Sequence, residues 1–487
     1  MATPFVYAIA ALVAGTSAIA TIPAQAAQLP VERFVTSDGS VFVLMPRPAR
    51  GIVYWAEWIR MGRKHESETQ AGLAEACAIA SLAGTTTHGT SSPEAEAELL
   101  QQLDTVRRAL RTAEIQGRAD GELAALRAEF ADTKARCANL SDRFAYQRLL
   151  TSIPASALRL TPGVDGYLLE SSCPTDRVDE FAVLLASRRK DAVLRGYHEI
   201  LDEVRARLRR ESEEPGASHR RALALTALEV DPLRRVLIPP PPKAPPIART
   251  EALEFYRRHH DPSGTTTVIV GEFDPTRVKD QLGKIFVSST APTSMIQNDV
   301  LEPPQEGPRT KVLISSEPRL LWGWRPPDDA RYDALEVLAE WLQRRLEREF
   351  VRERNVAKSV RVLPRFPGGG APAPFVVELL ANSYFDFGKL EIAARNTFET
   401  LEREGAPAKE LQLEAATVLT DVRRVFENPR DMASVLARAV GRSATRSLPP
   451  TERTLEAAFA LGKLVFSESK RTTVTTRPPA DDEEANR

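Results

Sequence analysis

The chain has 487 residues, 43% hydrophobic and 27% charged, with a formal net charge of −1. That length and balance fit a globular protein of roughly two or three domains. The near-neutral charge leaves no basic field for nucleic acid, and beyond the N-terminus no stretch approaches the roughly 20 apolar residues a membrane-spanning helix needs.

An apolar run from Phe5 to Ile22 is followed by Ala24-Gln25-Ala26. This is the form of a secretory signal, residues 1–26, cleaved before Ala27; the other reading is a membrane anchor. No cysteine lies near the cleavage point, so a lipid anchor there is not expected. With the signal removed, a periplasmic or secreted location in a bacterium follows, with no membrane span. Of the three cysteines, Cys77 falls on the apolar face of a predicted helix, while Cys137 and Cys173 have the option of pairing in an oxidising compartment. Three small buried hydrophobes is the plainer reading, and the spacing fits neither a zinc knuckle nor a redox pair.

Val41 to Leu44 follows the turn signal Ser37-Asp38-Gly39-Ser40 and reads as a strand, with Ile52 to Ile59 as its partner. An Ala-rich helix is predicted over 69–82, carrying Leu73, Ala76, Cys77 and Ala80 on one face. Residues 91–148 differ: Leu99, Leu103, Val106 and Leu110 recur at heptad spacing. The pattern resumes after Gly117 and Gly121 at Leu123, Leu126, Phe130 and Cys137. This predicts an antiparallel helical hairpin inserted in the first domain, an arm open to a partner. Leu158 to Ser172 is strand-like with a turn at Pro162-Gly163, and Asp176 to Arg210 reads as helical and heavily charged. The prolines between Val236 and Pro246 predict extended chain. A helix from Glu251 to His259, a strand Thr265 to Val270, and a helix capped by Asp274 complete the first half.

Residues 296–309 are polar and Pro-rich, as expected of a linker. The second half repeats the grammar: a strand at Lys311 to Ile314, then a helix with Leu335, Leu338, Leu342, Leu346 and Phe350 on one face. A strand follows at Phe375 to Leu380, then helices at 387–404, 407–425 and 430–441. Residues 479–487 are acidic and expected to be disordered.

Gly72-Leu73-Ala74-Glu75-Ala76-Cys77-Ala78-Ile79, running on to Gly84-Thr85, resembles the frame Gly-Leu-Ala-His-x-x-Glu-His-x-x-x-x-Gly-Thr of the insulinase/pitrilysin-like (inverzincin) metallopeptidases. Other blocks resemble that family in the same order. They are Met61-Gly62-Arg63-Lys64-His65-Glu66, Phe255 to Pro262 with Val268 to Asp274, Arg352 to Val360, and Lys409-Glu410-Leu411. Together they span most of residues 30–478. In the family frame the first zinc histidine falls on Glu75, the catalytic glutamate on Ala78 and the second histidine on Ile79. The third ligand, a downstream glutamate, falls on Arg207, with Glu203 or Glu199 under a shifted register. Two histidines one turn apart can grip one zinc ion because i and i+4 share a helix face. Glu75 and Ile79 share that face, but isoleucine has no lone pair, and Ala78 cannot serve as the base that activates a zinc-bound water. The resemblance therefore implies no catalytic residue, no metal and no cofactor. The family's peptide-binding edge strand would fall near Leu158-Arg159-Leu160-Thr161, and the tyrosine of its Arg/Tyr pair on Lys358.

The remaining motifs are bland. His259-His260 are neighbours on a helix and point about 100° apart, so they read as solvated or capping. His65, His88, His198 and His219 are scattered. Ser81, Ser91 and Ser92 lack a nucleophile elbow. Gly368-Gly369-Gly370 precedes no helix and is no phosphate cradle. Trp55, Trp58, Trp322 and Trp324 read as core, and Arg205 to Arg210 as a solvated helix face.

The expected fold is α+β: two homologous domains, 30–295 and 310–478, each a mostly antiparallel sheet packed on a layer of helices, with the hairpin inserted in the first. The function the resemblance implies is a non-catalytic subunit that pairs as a heterodimer with an active insulinase-like homologue and helps enclose its unfolded peptide substrate. Two alternatives stand beside it: a solitary peptide-binding or scaffolding protein, and a metallopeptidase with a non-standard site.

Overall fold

The computed structural model describes residues 31–153, 158–287, 301–328, 330, 332–368, 372–442, 457–458, 460–462 and 465–480. The expected signal, residues 296–300 of the expected linker, Gly369-Gly370 and residues 481–487 lie outside the described residues.

Six strands form the first sheet: β1 (Glu32–Val35), β2 (Val41–Pro46), β3 (Ile52–Ile59), β4 (Arg159–Pro162), β5 (Tyr167–Pro174) and β6 (Thr265–Gly271), in the order β1-β2-β6-β3-β5-β4. Only β2 and β6 run parallel; the other neighbours are antiparallel. The expected pairing of Val41–Leu44 with Ile52–Ile59 is corrected here. β6, arriving from far along the chain, lies between them. All its residues are buried, as a central strand covered on both faces must be. Five strands form the second sheet: β7 (Arg309–Ile314), β8 (Arg319–Trp324), β9 (Ala357–Leu363), β10 (Phe375–Ala381) and β11 (Arg471–Arg477), in the order β7-β11-β8-β10-β9. Here β7 and β11 are the parallel pair.

The helices are α1 (Leu73–Ala80), α2 (Pro93–Gln116), α3 (Asp120–Leu140), α4 (Ala145–Ser152), α5 (Val178–Asp191), α6 (Tyr197–Glu213), α7 (Ala217–Ala227), α8 (Arg249–His259) and α9 (Pro275–Ile285) in the first half. The second half has α10 (Tyr332–Leu346), α11 (Tyr384–Glu404), α12 (Ala408–Glu427) and α13 (Pro429–Arg442).

Alternation along β3 shows how the layers form. Val53 and Trp55 face α4, α5 and α9 through Leu150, Phe181 and Leu282. Ala56 and Trp58 point the other way, onto Met432, Ala433, Leu436 and Ala437 of α13. The second sheet mirrors this. Leu320, Trp322 and Trp324 of β8 pack on α10 and α11, while Leu321 packs on Leu223 of α7. Each half thus lends one helix to the back of the other half's sheet. Burial of a large apolar side chain contributes about 1.5–3 kcal/mol, so a few such contacts per helix hold the exchange firmly.

The segment 301–308, read as a linker, is pinned. The Glu302 carboxylate accepts the backbone N–H groups of Glu229, Val230 and Asp231 at 2.5, 2.9 and 2.7 Å. The helical stretch expected over Asp176–Arg210 forms two helices, α5 and α6, parted where Leu194 (φ 54°) and Gly196 (φ 66°) take left-handed backbone. The break lets buried Arg195 reach the Glu96 carboxylate at 2.5 and 2.8 Å and the carbonyls of Ala83, Thr85 and His88.

The hairpin forms as expected, with Gly117 in left-handed backbone ending α2. It is not a free arm. Asp104 of α2 pairs with His198 at 2.8 Å and with Arg249 at 3.2 Å, and Lys134 of α3 with Glu199 at 2.7 Å. Arg107 also pairs with Asp202. The hairpin is therefore tied along α6, with the outer side of α3 left to solvent.

Candidate functional site

α1 is shorter than the predicted 69–82. Gly72 (φ +88°) turns the chain into the helix, and a Cβ there would stand 3.1 Å from Val204 Cγ1 of α6. Buried Glu66 caps the first turn, accepting from Gly72 N at 3.0 Å and Ala74 N at 2.8 Å. Burial, which favours the neutral acid, outweighs those two donors and raises the Glu66 carboxyl to about 7.

Most of α1 is enclosed. Leu73, Ala74, Ala76, Cys77, Ala78 and Ala80 pack with Tyr197, Leu201, Ala252, Phe255 and Tyr256. Ala78 is fully buried and Ile79 half-buried. Glu75 is the one charged residue of the helix, and its Oε2 accepts from Arg207 Nη2 on α6. The same guanidinium donates through Nη1 to Glu211 Oε1 one turn on. Burial works against the Arg207 charge, but Glu75 and Glu211 outweigh it, so its guanidinium holds its proton more tightly than usual. Nearby Arg63 is pushed the other way by burial, against the pull of Glu66, Glu211 and Glu75.

Arg205 overturns the reading of 205–210 as a solvated face. It is buried and donates to the carbonyls of Ala71 at 3.1 Å, Pro245 at 3.1 Å and Thr69 at 3.3 Å. Glu199 is turned to Lys134 and Glu203 to solvent, so neither joins Glu75.

The histidines differ from expectation. His260 is buried, its ring stacked on Tyr256 with centroids 4.5 Å apart, and His259 packs on Phe255 at 4.5 Å and on His65 at 5.0 Å. Neither is solvated. Burial lowers His65 to about 3 and His259 to about 4, so both are neutral near pH 7. The His65–His259 approach has no local signature, because the two positions are far apart along the chain. Cys77, Cys137 and Cys173 are free and buried; burial pushes Cys173 up to about 12. β4 is the edge of the first sheet and contains Arg159, Leu160 and Thr161. Lys358 is exposed on edge strand β9. Gly368 lies before the strand β10, as a loop residue.

A second polar cluster went unread. Glu57, alone among the apolar residues of β3, accepts from Arg188 at 2.7 Å and from Arg189 at 3.0 Å. Arg189 also donates to Ser40 at 3.0 Å and Thr267 at 2.7 Å. Burial favours protonation of Glu57, yet Arg189 and Arg188 prevail and hold it below the usual carboxylate range. A lone Glu in a strand buried on both faces was the available signal.

Zinc proteases of three protein ligands need nitrogen or carboxylate donors converging on an open position. Around α1 an arginine side chain lies between Glu75 and Glu211, the Glu66 carboxylate is taken by the helix N-terminus, and the Cys77 thiol is buried among apolar side chains. Among the described residues no group of three His, Cys, Asp or Glu side chains is placed to hold a metal. The residues present do not fit zinc.

Residues 246–417 match the family described as "Peptidase M16 inactive domain". No curated protein matches the sequence. Among solved structures, a protease from Helicobacter pylori aligns with TM-score 0.66 at 14% identity, over 92% of this chain and 99% of that one. A peptidase M16 inactive domain from Pseudomonas fluorescens aligns with TM-score 0.64 at 14% identity, over 93% and 99%. The periplasmic protease PqqL of Escherichia coli aligns with TM-score 0.58 at 14% identity, over 93% of this chain but 48% of PqqL.

Fold and site together define paired α+β halves whose motif helix carries one ion-paired carboxylate, Glu75, and one buried thiol, Cys77. Residues 246–417 thus carry the M16 inactive-domain match, and the chain as a whole shares the fold of M16-like peptidase structures.

Proposed function

We propose that this protein is a wall subunit: it pairs with an active insulinase-like zinc peptidase and completes the chamber around that enzyme's peptide substrate. In this reading Glu75 and Ile79 occupy the two histidine positions, Ala78 that of the general base, and Arg207 that of the third ligand. The observation that carries it is one of extent. Nearly all of this chain aligns with about half of PqqL, and it also aligns with 91% of a structure of PqqL's first half. A half of that kind, without metal donors, needs a second half to act on a peptide. The exchanged helices make this half stiff, so closure belongs to the joint with the partner. The Ala24-Gln25-Ala26 motif supports export, and among the described residues no helix is long and apolar enough to cross a membrane.

The test is co-expression with a homologue from the same genome that retains His-x-x-Glu-His. The two chains are expected to co-purify from the periplasmic fraction, this chain beginning at Ala27. Unfolded peptides are expected to be cut by the pair and not by this chain alone. Chelator-sensitive cleavage by this chain alone would overturn the reading. A solitary monomer that binds peptides without cutting them would establish the stand-alone binding protein instead.

A further inference from the structure

We propose that Arg207 is a tethered cation that occupies the place of a divalent metal, bracing α1 against α6 and keeping metal ions from Glu75 and Glu211. Glu75 Oε2 and Glu211 Oε1 bond to the two terminal nitrogens of one guanidinium. Two carboxylates from different helices therefore converge on one point, and the charge at that point is covalently part of the chain. A guanidinium and a hard divalent cation compete for the same carboxylate oxygens. The tethered group holds the advantage of effective concentration.

The charges agree with this assignment. Arg63 and Arg207 face Glu66, Glu75 and Glu211. With Glu66 raised to about 7, the cluster is close to neutral at physiological pH without any metal. The site is reachable: the Arg207 side chain is 37% exposed and that of Glu75 9%. A metal is thus kept out by the cation already there, and burial alone would not exclude it. This inference rests on the ion pairs and not on the existence of a partner.

The test uses the full chain and three variants: Arg207→Gln, Arg207→His, and Glu75→Gln combined with Arg207→Gln. Each is stripped with EDTA, titrated calorimetrically with MnCl2 and ZnCl2, and melted with and without metal. The wild type is expected to bind neither ion. Arg207→Gln is expected to take up one equivalent of Mn²⁺ with a Kd of about 0.1–1 mM, the range of weak oxygen sites. Its melting temperature should be lower than wild type in EDTA and rise with Mn²⁺. Arg207→His adds a nitrogen donor and is expected to bind Zn²⁺ more tightly than Arg207→Gln. The double variant is expected to lose the response.

Stoichiometric metal in the wild type overturns the proposal. So does a folded Arg207→Gln that ignores Mn²⁺. If Arg207→Gln does not fold, Arg207→His refolded with Zn²⁺ decides: recovery only with metal supports the proposal, and failure with metal overturns it. A silent Arg207→Gln would leave the non-catalytic assignment standing, whereas chelator-sensitive peptide cleavage by the wild type would remove that assignment itself.

Discussion

Gly441 of α13 lies against the indole of Trp58 of β3 so closely that an added Cβ would stand 2.1 Å from Trp58 Cδ1. The contact joins α13 of the second half to the centre of the first sheet. Arg442 stacks over the same indole at 4.9 Å and pairs with Asp165 at 3.1 Å. A glycine in a helix normally costs about 0.5–1 kcal/mol relative to alanine. Here the steric demand reverses that preference. Gly441→Ala is expected to destabilise the protein by about 1–3 kcal/mol through overpacking. Gly388, on α11, has nothing within 4 Å of its would-be Cβ, so Gly388→Ala is expected to stabilise by about 0.5–1 kcal/mol. Urea denaturation of the two variants checks the opposite signs.

Among the described residues, Glu57 is the only acid bonded to Arg188 and Arg189 in the buried network under the first sheet. Glu57→Gln leaves two buried guanidinium groups without a compensating charge, and a loss of about 3–5 kcal/mol is expected. Thermal melts read it. A loss under about 1 kcal/mol would mean that Ser40 and Thr267 suffice for Arg189, and Tyr167 and His260 for Arg188.

Glu66 gives a pH dependence of definite sign. Its folded carboxyl titrates at about 7, above the ordinary value of 4.5. Between those values the native state holds a proton that the unfolded state has lost, so stability falls as pH rises. The contribution is complete below about 4.5 and gone above about 7. Relative to Glu66→Gln, which does not titrate, the wild type is expected to lose on the order of 1–3 kcal/mol between pH 5 and 8. Denaturant titrations across that range test it; parallel curves for the two proteins would contradict it.

Asp104 anchors the hairpin through both His198 and Arg249. Asp104→Ala removes the carboxylate that His198 hydrogen-bonds and that Arg249 faces as its ion pair, and is expected to cost about 1–3 kcal/mol. The loss should be local. Limited proteolysis at the turn between Gln116 and Asp120 is expected to speed up, while hydrogen exchange in the second sheet stays unchanged.

Much of the architecture was legible because it was written in local signals. Asp274 caps α9 through Thr276 N at 2.9 Å, as read, and Gly117 turns the hairpin. The bare motif helix was legible too, since Ile79 and Ala78 announce missing chemistry by residue type alone. What escaped depended on distance along the chain. Nothing near β2 says that β6, more than two hundred residues later, will insert beside it. The family frame brings Arg207 and Glu75 to one place as ligand positions, but nothing local says that they will pair as ions, and a run of arginines reads as solvated until burial assigns Arg205 to three carbonyls. Glu57 was the missed clue, a charge in a strand with no face open to water.

The exchange of α7 and α13 between the two sheets bears on how such a chain can change over time. Severing it at the 301–308 segment would strip an apolar covering from both fragments at once, inviting aggregation from each. Neither portion is a free-standing module, so shuffling one without its mate is closed to evolution. Gene duplication and fusion must carry the entire pair, and mutations on α13 will be judged by residues nearly four hundred positions earlier.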